Sequence, residues 1–178
     1  LNAMAKFDHY DEAVFEKLLA EGLLKARDFN SQEIANTLNA MAVVDHFDIR
    51  LCSTLLTCLD PDPASASNEA LCQMFQVWLW LRVEQSLLGD MIPTARWEEA
   101  AARAWASSLA SAQSSRLHMH VSSTLQAMGV AHANEGQAGE LSVDILLQTK
   151  QVVVVEVDGP SHYCVTDTRR ELGKTRFK

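Results

Sequence analysis

The sequence predicts a mostly α-helical protein in which a solenoid-like region of helical repeats is followed by a small α/β domain. Three observations support this prediction. Amphipathic patterns with helix-capping residues fill most of the 178 residues, part of that pattern recurs at a fixed spacing, and strand-forming residues cluster over 141–155. We place the helical region at 1–113 and the α/β domain at 114–178.

The repeat is most visible in one pentapeptide. Leu-Asn-Ala-Met-Ala at 1–5 recurs at 38–42, an offset of 37 residues that can be followed over 1–56. The same offset relates Asp-His-Tyr-Asp at 8–11 to Asp-His-Phe-Asp at 45–48. Periods of this length are typical of helix pairs that bury their apolar faces against neighbouring pairs.

Capping residues and apolar spacing define the individual helices. Asp11, Asn30 and Asp48 each precede an apolar pattern and belong to the residue types that cap helix N-termini. The stripe after Asp11 carries Val14, Phe15, Leu18, Leu19 and Leu23. Prolines then predict a loop over 60–67, because the residue before a proline is disfavoured in the helical conformation.

Two further helices are expected before the α/β domain. One begins near Asn68, and its large aromatic residues, Trp78 and Trp80, are expected in the core rather than in a base-stacking surface. The other follows Pro93 over 94–112.

An apolar strand that ends in ionisable side chains is the most unusual stretch. Four consecutive valines, 152–155, favour a strand, which we expect to be buried on both faces. Glu156, Asp158 and His162 follow, and Gly159-Pro160 ends the strand. These three side chains therefore gather where a strand meets a loop.

The turn before the valines decides which side chains meet. A second strand is predicted over 141–147. A three-residue loop at 149–151 would place Asp144 opposite Glu156, whereas a two-residue turn would place Asp144 opposite Val155. We expect the three-residue loop, which brings two carboxylates to one side of the sheet, where they need solvent or a cation.

Charge and cysteine content limit the functions available. Residues 1–60 carry five Lys/Arg against ten Asp/Glu, 61–140 carry four against eight, and 141–178 carry six against five. An acidic helical region gains little from counterion release, so it is poorly suited to non-specific nucleic-acid binding. The four cysteines show no zinc-site spacing and are expected to be reduced, and no apolar run is long enough to span a membrane. Basic residues of the tail resemble a phosphate-binding patch, although a solvated helix face explains them equally well: Arg169, Arg170, Lys174, Arg176 and Lys178.

Residues from about 115 onward resemble the RAP domain, the RNA-binding domain abundant in Apicomplexans. The similarity is carried by SVDILL at 142–147, VVVVEVDGPSHY at 152–163 and the charged segment at 169–178, while 121–130 is similar to the family's opening helix. RAP domains continue with a further helix and strand, so the resemblance implies a domain truncated at its C-terminal end. The helical repeats are similar to octotricopeptide and FAST-kinase-type repeats, which precede RAP domains in RNA-handling proteins of organelles.

The resemblance also implies a fold and a candidate site. RAP domains are similar to restriction-endonuclease-like folds, including very-short-patch-repair nucleases, in which an Asp and a Glu on neighbouring strands hold a metal ion. The matching positions here are Asp144 and Glu156. Asp158 stands where many such enzymes have a lysine, a departure that argues against hydrolysis.

Three functions are therefore weighed. The first is an RNA-binding protein of mitochondrial or chloroplast RNA processing, stability or translation. It would bind a single-stranded transcript or rRNA without a cofactor, and His162 and the tail would contact phosphates. The second is a Mg²⁺-dependent nuclease, in which Asp144 and Glu156 bind the metal and Asp158 or His162 orients water. The third is a non-catalytic scaffold that binds proteins through its acidic helices.

Overall fold

Helices dominate the structure, and a small antiparallel sheet lies near the C-terminal end of the described chain. The computed structural model describes residues 1–6, 10–84, 95–110, 115–139 and 141–159. Within these ranges the mostly α prediction is confirmed. The chain divides into two compact units, of which one comprises Leu1–Ser108 and the other begins at Leu109. The sequence had placed this boundary at 113/114.

The α-helices of the first unit include the three that Asp11, Asn30 and Asp48 predict, and the last helix runs past the unit boundary to Ala110. Their bounds are α1, Asn2–Lys6; α2, Glu12–Lys25; α3, Ser31–Val44; α4, Ile49–Cys58; α5, Asn68–Glu84; and α6, Ala95–Ala110. Short 3-10 helices occupy Ala26–Asp28 and Pro63–Ser65. None of the helices in the described ranges combines the length and apolarity that a membrane span requires.

Side-chain caps start three of these helices. Oxygen atoms of Asp11, Asn30 and Asp48 each accept a hydrogen bond from the backbone N–H three residues ahead, at 3.0, 2.9 and 2.9 Å. At Asn30 the cap is reciprocal, because the Glu33 carboxylate accepts from the Asn30 N–H at 2.9 Å. All three predicted helix starts are thus confirmed, and each cap stabilises its helix by about 1 kcal/mol.

Helix α3 lies at the centre of the first unit. It packs against α1 and α5 and also contacts α4, while α2 packs against α4. Eight of its 14 residues are buried. Ile34, Leu38 and Met41 of α3 share one core with the other largest fully buried side chains of the unit: Phe15, Leu19, Leu51, Leu55, Met74, Trp78, Leu81 and Trp97. Trp78 and Trp80 both lie in this core, as predicted.

The apolar stripe of α2 is divided between core and surface. Phe15 and Leu19 are buried, whereas Val14 and Leu18 are 46% and 39% exposed. The stripe is wider than the side of α2 that meets α4, so packing covers only part of it.

The second unit is one helix and a three-stranded antiparallel meander. Helix α7, Arg116–Ala127, begins at the Ser115 cap and packs against β1. Strands β1, His132–Ala138; β2, Leu141–Gln148; and β3, Val152–Val155, lie in sequence order, so β2 is central. Ile145, in β2, is fully buried. Pairing of Gln148 with Val152 confirms the predicted three-residue loop.

The prediction that the valine strand is buried on both faces was wrong for the described structure. Val152, Val153 and Val154 are 78%, 39% and 40% exposed. The reason is position, because β3 is an edge strand and α7 packs on β1 at the other edge. Valine content favours a strand but does not determine what covers it.

Strand β1 contains a left-handed residue followed by a glycine that lies very close to β2. Glu135 has φ of 50°, a conformation that is costly for a residue with a side chain. The next residue, Gly136, then approaches β2 so closely that an added Cβ would lie 2.5 Å from Leu146 Cβ. Only glycine fits this position without a shift of the two strands.

We predict that Gly136→Ala destabilises the second unit by about 1–3 kcal/mol, because overpacking must separate β1 from β2. Hydrogen exchange of the β2 amides along a urea series measures this loss. Gly159→Ala is the matched control, since its new methyl group meets nothing within 4 Å. Equal protection in both variants would contradict the close approach.

Candidate nucleic-acid interface

The two predicted metal ligands lie next to the last residue pair of the β2–β3 ladder. Asp144 is in β2 and Glu156 directly follows β3, and their neighbours Ile145 and Val155 pair with each other. Cross-strand partners of an antiparallel pair project to the same side of the sheet. Both residues are half-buried, as is Asp158. The strand register is thus the one from which the sequence predicts that Asp144 and Glu156 meet.

Asp144 already has a structural partner. Its Oδ2 accepts a hydrogen bond from the Val157 N–H at 2.7 Å, which holds the chain just beyond β3. Across the described ranges, no three His, Cys, Asp or Glu side chains are grouped so that they could share a metal ion. The arrangement is therefore a pair of neighbouring acidic positions in which one carboxylate fastens a strand end.

The remaining predicted site residues lie outside the described ranges. They are His162, proposed as a catalytic or phosphate-contacting residue, and the cations of the tail: Arg169, Arg170, Lys174, Arg176 and Lys178.

A row of amide side chains that sequence reasoning missed joins α1, α3 and α5. Asn36 Oδ1 accepts hydrogen bonds from Asn2 Nδ2 at 3.0 Å and from Gln73 Nε2 at 2.9 Å. One turn further along, Asn39 Nδ2 donates to Gln76 Oε1 at 3.1 Å. We call these five residues the amide row.

The amide row follows the 37-residue offset. Asn2, Asn39 and Gln76 are spaced 37 residues apart, and so are Asn36 and Gln73. An amide thus recurs at this spacing on α1, α3 and α5. The amide residues spaced 37 positions apart are the sequence signal for this row. The pentapeptide and the apolar residues do not reveal it.

Part of the amide row remains open to solvent. Asn39 and Gln73 are buried, while Asn2, Asn36 and Gln76 are half-buried. Asn36 Nδ2 and Gln76 Nε2 donate to no residue of the described chain, yet neither is an enclosed, unsatisfied atom. These N–H groups can therefore donate to an external acceptor such as a base edge.

Three polar side chains in mutual contact also link the helix pair α1 and α2 with the pair α3 and α4. The Tyr10 hydroxyl hydrogen-bonds His46 Nδ1 at 2.6 Å, and His46 Nε2 lies 2.9 Å from Glu16 Oε1. Desolvation, followed by the charges of Glu12 and Glu16, raises the pKa of Tyr10, so the phenol keeps its proton. These contacts connect the start of α2 with the turn after α3. Because the phenol of Tyr10 stays protonated, they do not supply an activated nucleophile.

Histidines of the second unit fasten α7 to β1. His118 is buried, with its Nε2 3.2 Å from Asn134 Oδ1 and its Nδ1 3.5 Å from Glu135 Oε1. Ser122 Oγ lies 2.8 Å from His132 Nε2. These contacts account for the polar residues buried between helix and strand.

The buried Cys52 is poorly suited to act as a nucleophile or a metal ligand, because both roles require the thiolate. Burial, with a smaller effect of the Asp48 charge, raises the pKa of the Cys52 thiol to about 12. Cys58 and Cys72 are free thiols that are half-buried. Cys52 therefore stays protonated near neutral pH and acts as a small apolar side chain.

No protein-family model, curated protein or solved structure matches the chain.

We predict that Asp144→Ala accelerates hydrogen exchange at the Val157 amide by about tenfold or more, because a hydrogen bond to a charged acceptor is lost. Asp144→Asn, which keeps a side-chain oxygen, should accelerate it less. Exchange measured by NMR distinguishes the three proteins. Unchanged exchange in Asp144→Ala would mean that the carboxylate does not hold the strand end.

Proposed function

We propose that the protein binds single-stranded RNA as part of mitochondrial or chloroplast RNA metabolism, with its stacked helices providing the contact surface. The observation that carries this proposal is the amide row, in which amides 37 residues apart pair between successive helices while the N–H groups of Asn36 and Gln76 donate to no residue of the described chain. Helical-repeat proteins read RNA bases through a few side chains per repeat. The RAP-like sequence of the second unit points to the same class of ligand.

Helix packing supports the repeat on which this proposal depends. Helices α1, α3 and α5 contact one another in order, and α2 contacts α4, as successive units of a helix-pair array would. Equivalent residues 37 apart are hydrogen-bonded in two places, Asn36 with Gln73 and Asn39 with Gln76. The offset seen in the sequence thus corresponds to direct neighbours in space.

Charge pairing indicates how such binding would depend on salt. Several cations of the first unit already face acids: Lys6 with Glu69 at 3.9 Å, Lys25 with Glu21 at 3.8 Å, Arg103 with Glu99 at 3.5 Å, and Arg82 with Glu98. Paired cations release few counterions when a phosphate approaches. We therefore attribute base contacts to the helices and any salt-dependent phosphate contacts to the basic tail.

We predict that the double variant Asn36→Ala/Gln76→Ala binds single-stranded RNA about tenfold more weakly than the parent, since two hydrogen bonds are lost. The salt dependence should remain unchanged, because no charge is altered. Fluorescence anisotropy with a labelled RNA across a salt series measures both quantities.

Thr57→Ala on α4 is the matched control, because it removes an exposed polar group that bonds only within its own helix. Circular dichroism melting shows whether each variant is folded. Equal RNA affinity of the folded double variant and the control would remove the amide row from the proposal. Absence of RNA binding by the parent, with a protein partner co-purifying, would favour the scaffold function.

A second candidate function is a metal-dependent nuclease, and the observation that favours it is the pairing of Ile145 with Val155, the residues next to Asp144 and Glu156. These two carboxylates would hold Mg²⁺, which would stabilise charge on the scissile phosphate and lower the pKa of a bound water. Asp158 or His162 would orient that water. The Val157 N–H bond of Asp144 leaves its Oδ1 as the oxygen for metal binding.

We predict that a nuclease of this kind would lose at least about 100-fold in RNA cleavage rate on Glu156→Gln, because a neutral amide binds Mg²⁺ poorly. Cleavage of labelled RNA in Mg²⁺ or Mn²⁺ measures the rate. Glu12→Gln, on an exposed helix start of the other unit, is the charge-matched control. Identical products at identical rates from both variants would assign the cleavage to a contaminant.

A further inference from the structure

A cavity of about 320 Å³ lies between α2 and α3, beside the amide row. Apolar and polar side chains from both helices and from the segment that joins them line it, among them Leu18, Glu21, Lys25, Phe29, Glu33 and Asn36. Small-molecule sites in proteins range from about 300 to 1,000 Å³. This cavity is therefore at the small end of that range, where a ligand such as a single base fits.

Asn36 has one hydrogen-bonding group left for a ligand in the cavity. Its Oδ1 accepts hydrogen bonds from Asn2 Nδ2 at 3.0 Å and from Gln73 Nε2 at 2.9 Å, so the orientation of the amide is fixed. Its Nδ2 donates to no residue of the described chain. The side chain thus offers an N–H donor that is held in place before a ligand arrives.

Glu33 adds an acceptor on the same side of α3. Its Oε2 accepts a hydrogen bond from the Asn30 N–H at 2.9 Å in the capping box, which leaves Oε1 for a ligand. Residues three apart on a helix are neighbours on one face, with about 5–6 Å between their Cβ atoms. Glu33 and Asn36 can therefore contact the same small ring, and structural hydrogen bonds hold both side chains.

Charge and apolar surface favour a neutral, flat ligand. Glu21 and Glu33 carry two negative charges against the positive charge of Lys25, which already faces Glu21 at 3.8 Å. A phosphate would be repelled here, whereas carboxylate oxygens attract the N–H donors of a neutral ligand. Phe29 is half-buried and Leu18 is 39% exposed, so both offer apolar surface to a ring.

We infer that this cavity binds a guanine base. Guanine has the acceptor O6 beside two donor groups, N1–H and the N2 amino group, on one edge. O6 accepts from Asn36 Nδ2, and the two donor groups face the Glu33 carboxylate. Each other RNA base has only one donor group beside an acceptor. The choice of base follows from the cavity, whereas RNA as the source of that base rests on the proposed function.

Guanosine 5′-monophosphate without RNA is the probe for the cavity. We expect it to bind about tenfold more tightly than inosine 5′-monophosphate, which lacks only the N2 amino group, because a hydrogen bond to a charged acceptor is lost. NMR titration measures both dissociation constants, and the side-chain amide signal of Asn36 should shift. Free arginine is the third ligand, since its guanidinium also carries several N–H donors.

Glu33→Gln should reduce the preference for the guanine nucleotide to less than about twofold, because an amide nitrogen replaces an acceptor oxygen. Glutamine also serves at this position of a capping box, so α3 should stay folded, which circular dichroism checks. Glu12→Gln, at the exposed start of α2, is the charge-matched control and should keep the preference. Equal preferences in the two variants, or arginine binding to the parent as tightly as the guanine nucleotide, would overturn the inference.

Short oligouridylates with one central guanosine or adenosine identify the source of the base. Tighter binding of the guanosine oligomer, lost in Glu33→Gln, would support RNA as that source. Binding of the free nucleotide without binding of any oligomer would keep the guanine cavity and remove the proposed function. Equal binding of both oligomers without binding of the free nucleotide would overturn the guanine cavity and leave the proposed function in place.

Discussion

Burial of α3 between its neighbours is the constraint on which the first unit depends. A helix that is covered by α1, α4 and α5 has to satisfy its polar side chains within the packing, because a buried amide without partners is costly. The amide row is the result, since Asn36 and Asn39 find their partners on the neighbouring helices. The same hydrogen bonds restrict the sliding of one helix past the next, so they set the register in which the outward N–H groups are presented.

Strand β2 is the central element of the second unit, as α3 is of the first. It pairs on both sides, and its Ile145 is fully buried, whereas the valines of β3 stay largely exposed at the sheet edge. Close approach of β1 at Gly136 and the fastening of β3 by Asp144 both depend on this central strand. The acidic pair is therefore part of the sheet's construction, and any metal would have to bind without releasing Val157.

The predictable parts of the fold are those determined by neighbours in the sequence. Asp11, Asn30 and Asp48 start helices because a cap acts over three residues, and the 149–151 loop sets the register of β2 and β3 over an equally short distance. Strand β1 was not predicted, because His-Ala-Asn-Glu-Gly-Gln-Ala contains no β-branched or aromatic residue. It is a strand because it pairs with β2 through backbone hydrogen bonds. Residues 132–138 considered alone do not show this pairing.

The sequence by itself determined where three helices begin, that Trp78 and Trp80 belong to the core, and the register in which β2 pairs with β3. Only the tertiary structure decided which side of α2 is buried against other helices, which amide side chains pair, and that Val152 is exposed to solvent. The physical reason is that capping and turn geometry act between residues a few positions apart. Burial and side-chain pairing are properties of surfaces formed by residues far apart in the chain, such as the amide pairs that are 37 residues apart.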